Sequence, residues 1–149
     1  MKRLARDLAN EGLYMNSLWK KLNLREHREI FVVNAQRSFE TALRTLKKVG
    51  VRRSLAATTQ LTFALTFVKT QPELDRLSAM VVAKSPGDAL LWFAYPKGTS
   101  KRYTCEFNRD KGWGVLVGSG FDCVRQVAID EDWSALRFRR IEFINHRAR

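Results

Sequence analysis

The chain is short of cysteine, of acidic residues and of long apolar runs, and each shortage excludes a class of protein. Its two cysteines, Cys105 and Cys123, are too few for a disulfide framework and lack the spacing of a metal site. No apolar run approaches the roughly 20 residues of a membrane-spanning helix, and residues 1–14 are too polar for a secretory signal. We therefore expect a cytoplasmic protein with reduced thiols, no metal site and no membrane association.

Length and composition favour one folded domain. A chain of 149 residues is large enough to bury roughly two thirds of its unfolded surface around a single core. Its hydrophobic fraction of 45% argues against disorder. Residues 1–14 are charged and only loosely amphipathic, so we expect them to be a flexible or frayed extension. Residues 15–149 are expected to form the single domain.

The charge balance favours an anionic partner. The chain has 27 lysines and arginines against 15 acidic residues, a net charge of +12. Residues 41–72 contain no acidic residue at all, which suggests a basic surface that binds nucleic acid or a phosphorylated ligand. A solvated surface with no partner explains the same charges, and the sequence has no signature of a nucleic-acid-binding fold. The candidate basic-surface residues are Arg44, Lys47, Lys48, Arg52 and Arg53.

A strand, a helix and a second strand are predicted between residues 63 and 94. Residues 63–68 and 90–94 are short apolar runs typical of strands that are buried on both faces. Between them, Thr70 and Glu73 have the spacing of a capping box, and Pro72 suits the first turn of a helix. The two strands should be parallel, and ligands of open α/β sheets bind beyond the carboxyl ends of such strands.

The pattern predicts three elements before that unit and one helix between it and the final hairpin. Residues 30–33 form a strand, apolar residues from Phe39 to Val49 indicate a helix that ends at Gly50, and residues 51–57 form a weaker strand. Residues 108–117 favour a helix despite their glycines. The overall expectation is an α/β, single Rossmann-like three-layer domain with a mostly parallel sheet.

The sheet is expected to end in an antiparallel hairpin. Residues 123–129 form one strand and residues 133–144 a long return strand. Leu136 and Phe138 alternate with arginines, whereas Ile141 and Phe143 have the opposite phase. Because a period of two cannot skip a residue, we expect a β-bulge near Arg139.

Two segments offer candidate site residues. The loop after residue 94 combines glycine with hydroxyl and ammonium donors suited to an anion, although its spacing is not that of a phosphate-binding loop and the pattern favours a plain surface turn over a site. The hairpin turn could hold a cation or a catalytic base, or could be an ordinary solvated turn. The loop candidates are Lys97, Gly98, Thr99, Ser100 and Lys101, and the hairpin candidates are Asp130, Asp132, Trp133, Ser134 and Arg137.

Three stretches carry a family resemblance. Residues 31–35 (FVVNA), 91–98 (LWFAYPKG) and 126–138 (QVAIDEDWSALRF) resemble an uncharacterised bacterial family of small Rossmann-like proteins, over about residues 18–144. More distantly, the order of elements with the glycine-rich segment before Gly120 is similar to the second half of class I methyltransferases. The second resemblance implies a fold and no activity.

The residues themselves disfavour an adenosylmethionine or dinucleotide site. Such a site needs glycines after the first strand and an acid after the second, whereas residues 34–38 contain no glycine and the second strand lies in the acid-free stretch. We therefore predict no cofactor and a non-catalytic module that binds an anionic partner. The alternative is an enzyme whose substrate site is formed by the Lys97 loop and the C-terminal hairpin.

Overall fold

The computed structural model describes residues 17–56, 58 and 60–144, which contain one six-stranded sheet. The predicted extension, residues 1–14, lies outside this range. The strand order is β2-β1-β3-β4-β6-β5; the first four strands are mutually parallel, and β6 is antiparallel to both of its neighbours. The strands are β1 (Glu29–Val33), β2 (Gly50–Arg52), β3 (Phe63–Phe67), β4 (Leu90–Pro96), β5 (Phe121–Ala128) and β6 (Trp133–Arg140).

Helices cover both faces of this sheet. They are α1 (residues 17–21 of the described range), α2 (Glu40–Arg44), α3 (Gln71–Lys84) and α4 (Gly114–Gly118), with 3-10 turns at Arg37–Phe39 and Ile141–Phe143. Residues of α1 and α2 pack on one face in a core that includes Trp92, and α3 and α4 pack on the other face around Phe93. The fold class predicted from the sequence is confirmed. Within the described part of the chain, α3 is the longest helix at 14 residues and none could span a membrane.

Helix α3 begins where the capping pattern placed it. The Thr70 side chain accepts a hydrogen bond from the Glu73 backbone N–H, and Pro72 lies in the first turn. The reciprocal half of the predicted capping box differs, since Glu73 accepts from the backbone N–H of Lys69 at 2.9 Å rather than from Thr70. The Glu73 carboxylate is thereby held at the carboxyl end of β3.

The helix predicted between residues 39 and 49 is much shorter in the structure. It ends at Arg44, and Lys48 turns the chain with a φ of 60° before Gly50 opens β2. Leu46 and Val49 still pack against the core. The apolar spacing therefore predicted correctly that these side chains contact the core, but it overestimated the length of the helix. The chain must leave the helix so that β2 can pair with β1. The Gly50 N–H begins this pairing by donating a hydrogen bond to the Arg28 carbonyl.

The helix predicted at residues 108–117 is also wrong over its first half. The Asn108 side chain accepts from the backbone N–H groups of Asp110 and Lys111, which forms a tight turn instead. Gly112 follows with a φ of 108°, and α4 starts only at Gly114.

The hairpin is confirmed, but its irregularity lies on the other strand. The register shift falls between Cys123 and Arg125 in β5, not near Arg139. Strand β6 ends at Arg140, so Ile141 and Phe143 leave the sheet and are 48% and 38% exposed. Their change of phase marks the end of the strand, since a 3-10 turn has no period of two.

Candidate functional site

The point where the strand order reverses, between β1 and β3, is bridged by polar side chains. The chain leaves β1 through Asn34, which has a φ of 58°. Its amide nitrogen is 3.4 Å from both the Phe67 carbonyl oxygen and Glu73 Oε2. Asn34 and Glu73 therefore connect the ends of β1, β3 and α3 across the position where open α/β sheets usually bind ligands.

Ion pairs occupy two of the predicted basic-surface residues. Arg52 Nε lies 2.9 Å from Glu29, and Arg53 donates to both oxygens of Glu40 at 2.6 and 2.9 Å. The hydrogen bond from Arg53 holds the pKa of Glu40 below its usual value. Such exposed pairs contribute little stability, but they reduce the positive potential at the end of β2.

The other three basic-surface candidates are exposed to solvent. Arg44 ends α2, and Lys47 and Lys48 follow it. Lys47 and Lys48 make no ion pair within the described residues.

A groove of about 1000 Å³ opens beyond the carboxyl end of β4, between the loop of residues 97–111 and the hairpin of β5 and β6. We call it the β4 groove. Tyr95, Gln126 and Ser134 line it and come from three adjacent strands. Gln126 Nε2 donates to Ser134 Oγ at 3.1 Å, and Tyr95 lies directly opposite Ser134 in the sheet.

Burial and charge act on the groove's titratable groups. Burial raises the pKa of Tyr95, and a hydrogen bond with Ser134 and the charge of Arg109 oppose that rise. Burial also raises the pKa of the Cys105 thiol, which lines the groove, and keeps it in the protonated form that is a poor nucleophile. The groove is therefore suited to hydrogen bonding with a ligand and poorly suited to thiolate chemistry.

Aromatic packing and backbone contacts hold the loop over the groove. The Phe107 ring lies 6.0 Å from the Tyr95 ring and 5.3 Å from the Trp113 ring. Gln71, the first residue of α3, donates from its side chain to the Gly112 carbonyl and from its backbone to Glu106 Oε1. The loop is thus attached to α3, the helix that also carries Glu73.

The groove is lined by more positive than negative groups. Lys97, Arg109 and Lys111 contribute cations, and Glu106 is the one carboxylate among its described lining residues. Because Glu106 accepts a backbone hydrogen bond from Gln71, part of its acceptor capacity is already used. This arrangement favours an anionic ligand.

The structure brings the predicted loop and hairpin residues together. Ser100 Oγ donates to Asp132 Oδ1 at 2.8 Å, and the Lys97 backbone N–H donates to the Asp132 carbonyl at 2.8 Å. Lys97, Gly98, Thr99 and Ser100 line the groove, whereas Lys101 does not. The Ser100 hydroxyl and the Lys97 backbone N–H are consequently already bonded to the hairpin.

The hairpin candidates separate into different surroundings. Asp130 Oδ1 accepts from the backbone N–H groups of Asp132 and Trp133 at 2.8 Å each, which shapes the turn. Trp133 is buried against Phe67. Ser134 lines the groove, whereas Arg137 lies on the opposite face of the sheet, the side of α1. Within the described chain, no group of three or more metal-ligating side chains could hold a metal ion.

Sequence reasoning missed several groove residues. Tyr95, Arg109, Lys111 and Gln126 were not candidates, and only Tyr95 carried a signal, since it directly follows the apolar run of β4. The path of the loop places Arg109 at the groove, and the pairing of β5 with β6 places Gln126 there. Neither can be predicted from the spacing of neighbouring residues.

Comparison with known proteins supports the fold class. The chain is similar to a SAM-dependent methyltransferase from Aquifex aeolicus, with 12% identity and a TM-score of 0.57 over 85% of this chain and 89% of that one. It is also similar to magnesium protoporphyrin IX methyltransferase from Synechocystis PCC 6803, solved with bound SAH, with 10% identity and a TM-score of 0.53 over 89% and 84%. These likenesses show a Rossmann-like, methyltransferase-like fold.

No family model and no curated protein matches the chain. The more specific resemblance, to a bacterial family of small Rossmann-like proteins, therefore stays a prediction.

Proposed function

We propose that this protein is a non-catalytic Rossmann-like module that binds a small phosphorylated ligand in the β4 groove and lacks an intact adenosylmethionine site. The observation that supports the proposal is the groove itself, with Lys97, Arg109 and Lys111 around a floor of Tyr95 and Ser134. Cations and hydroxyls recognise the oxygens of a phosphate, and the rings of Tyr95 and Phe107 offer an apolar wall to the rest of the ligand.

The residues at the switch point do not fit adenosylmethionine. A side chain, Asn34, occupies the turn where glycines would let the ligand approach the backbone. The segment after β2 carries Arg53 bound to Glu40, where an acid would be needed for the ribose hydroxyls. The methyltransferase-like fold is thus proposed to serve binding without that cofactor.

A nucleic-acid partner has weaker support than a small ligand. Arg52 and Arg53, two of the five basic-surface candidates, are engaged by carboxylates. Binding driven by phosphate contacts falls steeply with salt, so an oligonucleotide titration at two salt concentrations distinguishes this partner from a ligand held in the groove.

An enzyme acting in the same groove is the second candidate. The observation that favours it is the hydrogen bond from Gln126 to Ser134 beside Tyr95, since the three polar side chains line the groove where the loop and hairpin meet. Binding of adenosylmethionine with a dissociation constant below about 10 μM would favour this candidate and contradict the proposal that the adenosylmethionine site is not intact.

The test is calorimetric titration with phenyl phosphate, which combines a dianion with a ring. Lys97→Ala and Arg109→Ala should each weaken binding by about tenfold or more, because each removes a charge-assisted contact. Lys101→Ala is the matched control, since Lys101 belongs to the same loop but does not line the groove. Equal loss in all three variants would indicate general electrostatic attraction instead of a site, and no binding by the unaltered protein would reject the proposal.

A further inference from the structure

Two arginines face each other across the closing hairpin, on the sheet face away from the β4 groove. Arg125 of β5 and Arg137 of β6 are direct cross-strand partners. Like charges directly opposite in an antiparallel pair destabilise a sheet. A pair of this kind needs an acceptor nearby to offset the repulsion.

The described protein supplies Arg137 with too few acceptors. Its Nε atom is buried and has no hydrogen-bond partner within the described residues. Among the described residues, Asp88 is the one carboxylate that favours the charged form of Arg137, but Arg139 already binds both Asp88 oxygens at 2.9 and 2.6 Å. Within that part of the chain, a partly buried guanidinium is thus left beside other cations without a counterion of its own.

A basic pocket of about 760 Å³ lies next to this pair. It is bounded by the end of α1, the turn that follows it and Arg125, and none of its described lining residues is acidic. Arg25 is held in place by a hydrogen bond from its Nε to Asn23 Oδ1 at 2.6 Å. The lining residues are Ser17, Trp19, Lys20, Lys21, Asn23, Leu24, Arg25 and Arg125.

We propose that this basic pocket is a second ligand site, which binds an oligophosphate anion between Arg25, Arg125 and the two lysines of α1. Guanidinium groups bind phosphate oxygens in pairs, and a multiply charged anion offsets the repulsion between Arg125 and Arg137. The residues belong to the sheet face opposite the β4 groove, so this site is independent of the proposed function.

The experiment is calorimetric titration of the full chain with inorganic pyrophosphate, and with ATP as a separate arm to test whether a nucleoside adds affinity. Arg25→Gln and Arg125→Gln should each weaken pyrophosphate binding by about tenfold or more. Arg52→Gln is the matched control, an exposed arginine at the far edge of the sheet, and should leave the affinity within about twofold. Because pyrophosphate can also bind in the β4 groove, the titration is repeated in the Lys97→Ala and Arg109→Ala variants, in which binding at the groove is weakened and binding at the basic pocket should persist.

A second variant tests the unpartnered arginine. Arg137→Met should match or exceed the melting temperature of the unaltered protein without ligand, because it removes the like-charge pair, and should lose most of the increase that pyrophosphate produces. The proposal is overturned if pyrophosphate binds more weakly than about 1 mM, or if Arg52→Gln weakens binding as much as Arg125→Gln does.

Discussion

The two halves of the sheet's carboxyl edge use their polar groups in different ways. Between β1 and β3, Asn34 and Glu73 bond to each other and to backbone atoms across the ends of the strands. Beyond β4, Gln126 donates to Ser134, and both side chains line an open groove together with Tyr95. Strand order alone therefore does not determine how the polar groups at the edge of an α/β sheet are used, because the loops that follow the strands also contribute to each end.

The largest effect in this comparison should come from the loop that shapes the groove. Gly112 has a φ of 108°, and a Cβ atom there would lie 2.6 Å from Phe107 Cβ. Gly112→Ala should lower the free energy of unfolding by about 1–3 kcal/mol and weaken phenyl phosphate binding, because Phe107 must move. Denaturant melts and calorimetry measure the two effects.

Gly98→Ala is the matched control for that change. Its Cβ would meet no atom within 4 Å, so stability should change by less than about 0.5 kcal/mol. Equal destabilisation by both substitutions would mean that the loop is not packed as described.

A smaller effect is expected at the switch point between β1 and β3. Asn34→Gly keeps the left-handed backbone available and removes only the side-chain bonds, which should cost about 0.5–1.5 kcal/mol. Asn34→Ala should cost about 1 kcal/mol more, because alanine disfavours that backbone conformation. Phenyl phosphate affinity should not change in either variant. A change in phenyl phosphate affinity would mean that the switch point and the β4 groove are coupled, which contradicts their description as two independent regions.

The smallest effect should be the alkaline dependence of stability at Tyr95. Since burial raises its pKa, the folded state keeps the proton after the unfolded chain has begun to lose it. The stabilisation is complete below the unfolded value of about 10 and is lost as pH rises through the folded value. Ser134 and Arg109 oppose this shift, and Cys123 and Cys105 increase it.

Tyr95→Phe should make the fall in stability above pH of about 10 less steep, as measured by denaturant melts across the alkaline range. The cysteine contributions are present in both proteins, so the difference between the two curves isolates Tyr95. Identical alkaline slopes would show that Tyr95 is not buried in the groove floor.

The elements that could be predicted are those with a local sequence signal, either an apolar run for a strand buried on both faces or a capping residue for the end of a helix. The apolar runs of β3 and β4 and the Thr70 cap of α3 were predicted correctly, since burial on both faces and a free backbone N–H each require particular neighbours. The helix after Phe39 and the one after Asn108 were predicted too long. In both segments, apolar residues are buried by irregular chain, which periodicity cannot distinguish from a helix.

Residue periodicity and residue type at single positions are enough to predict the layered α/β class, the antiparallel closing hairpin and the lack of glycines after β1. The position of the groove and the pairing of the arginines depend instead on contacts between separate elements. Gln126 reaches Ser134 and Ser100 reaches Asp132 through contacts between separate elements, and Arg125 faces Arg137 because a bulge in β5 sets their register. Such contacts depend on distances between segments far apart in the chain, and local residue patterns carry no information about those distances.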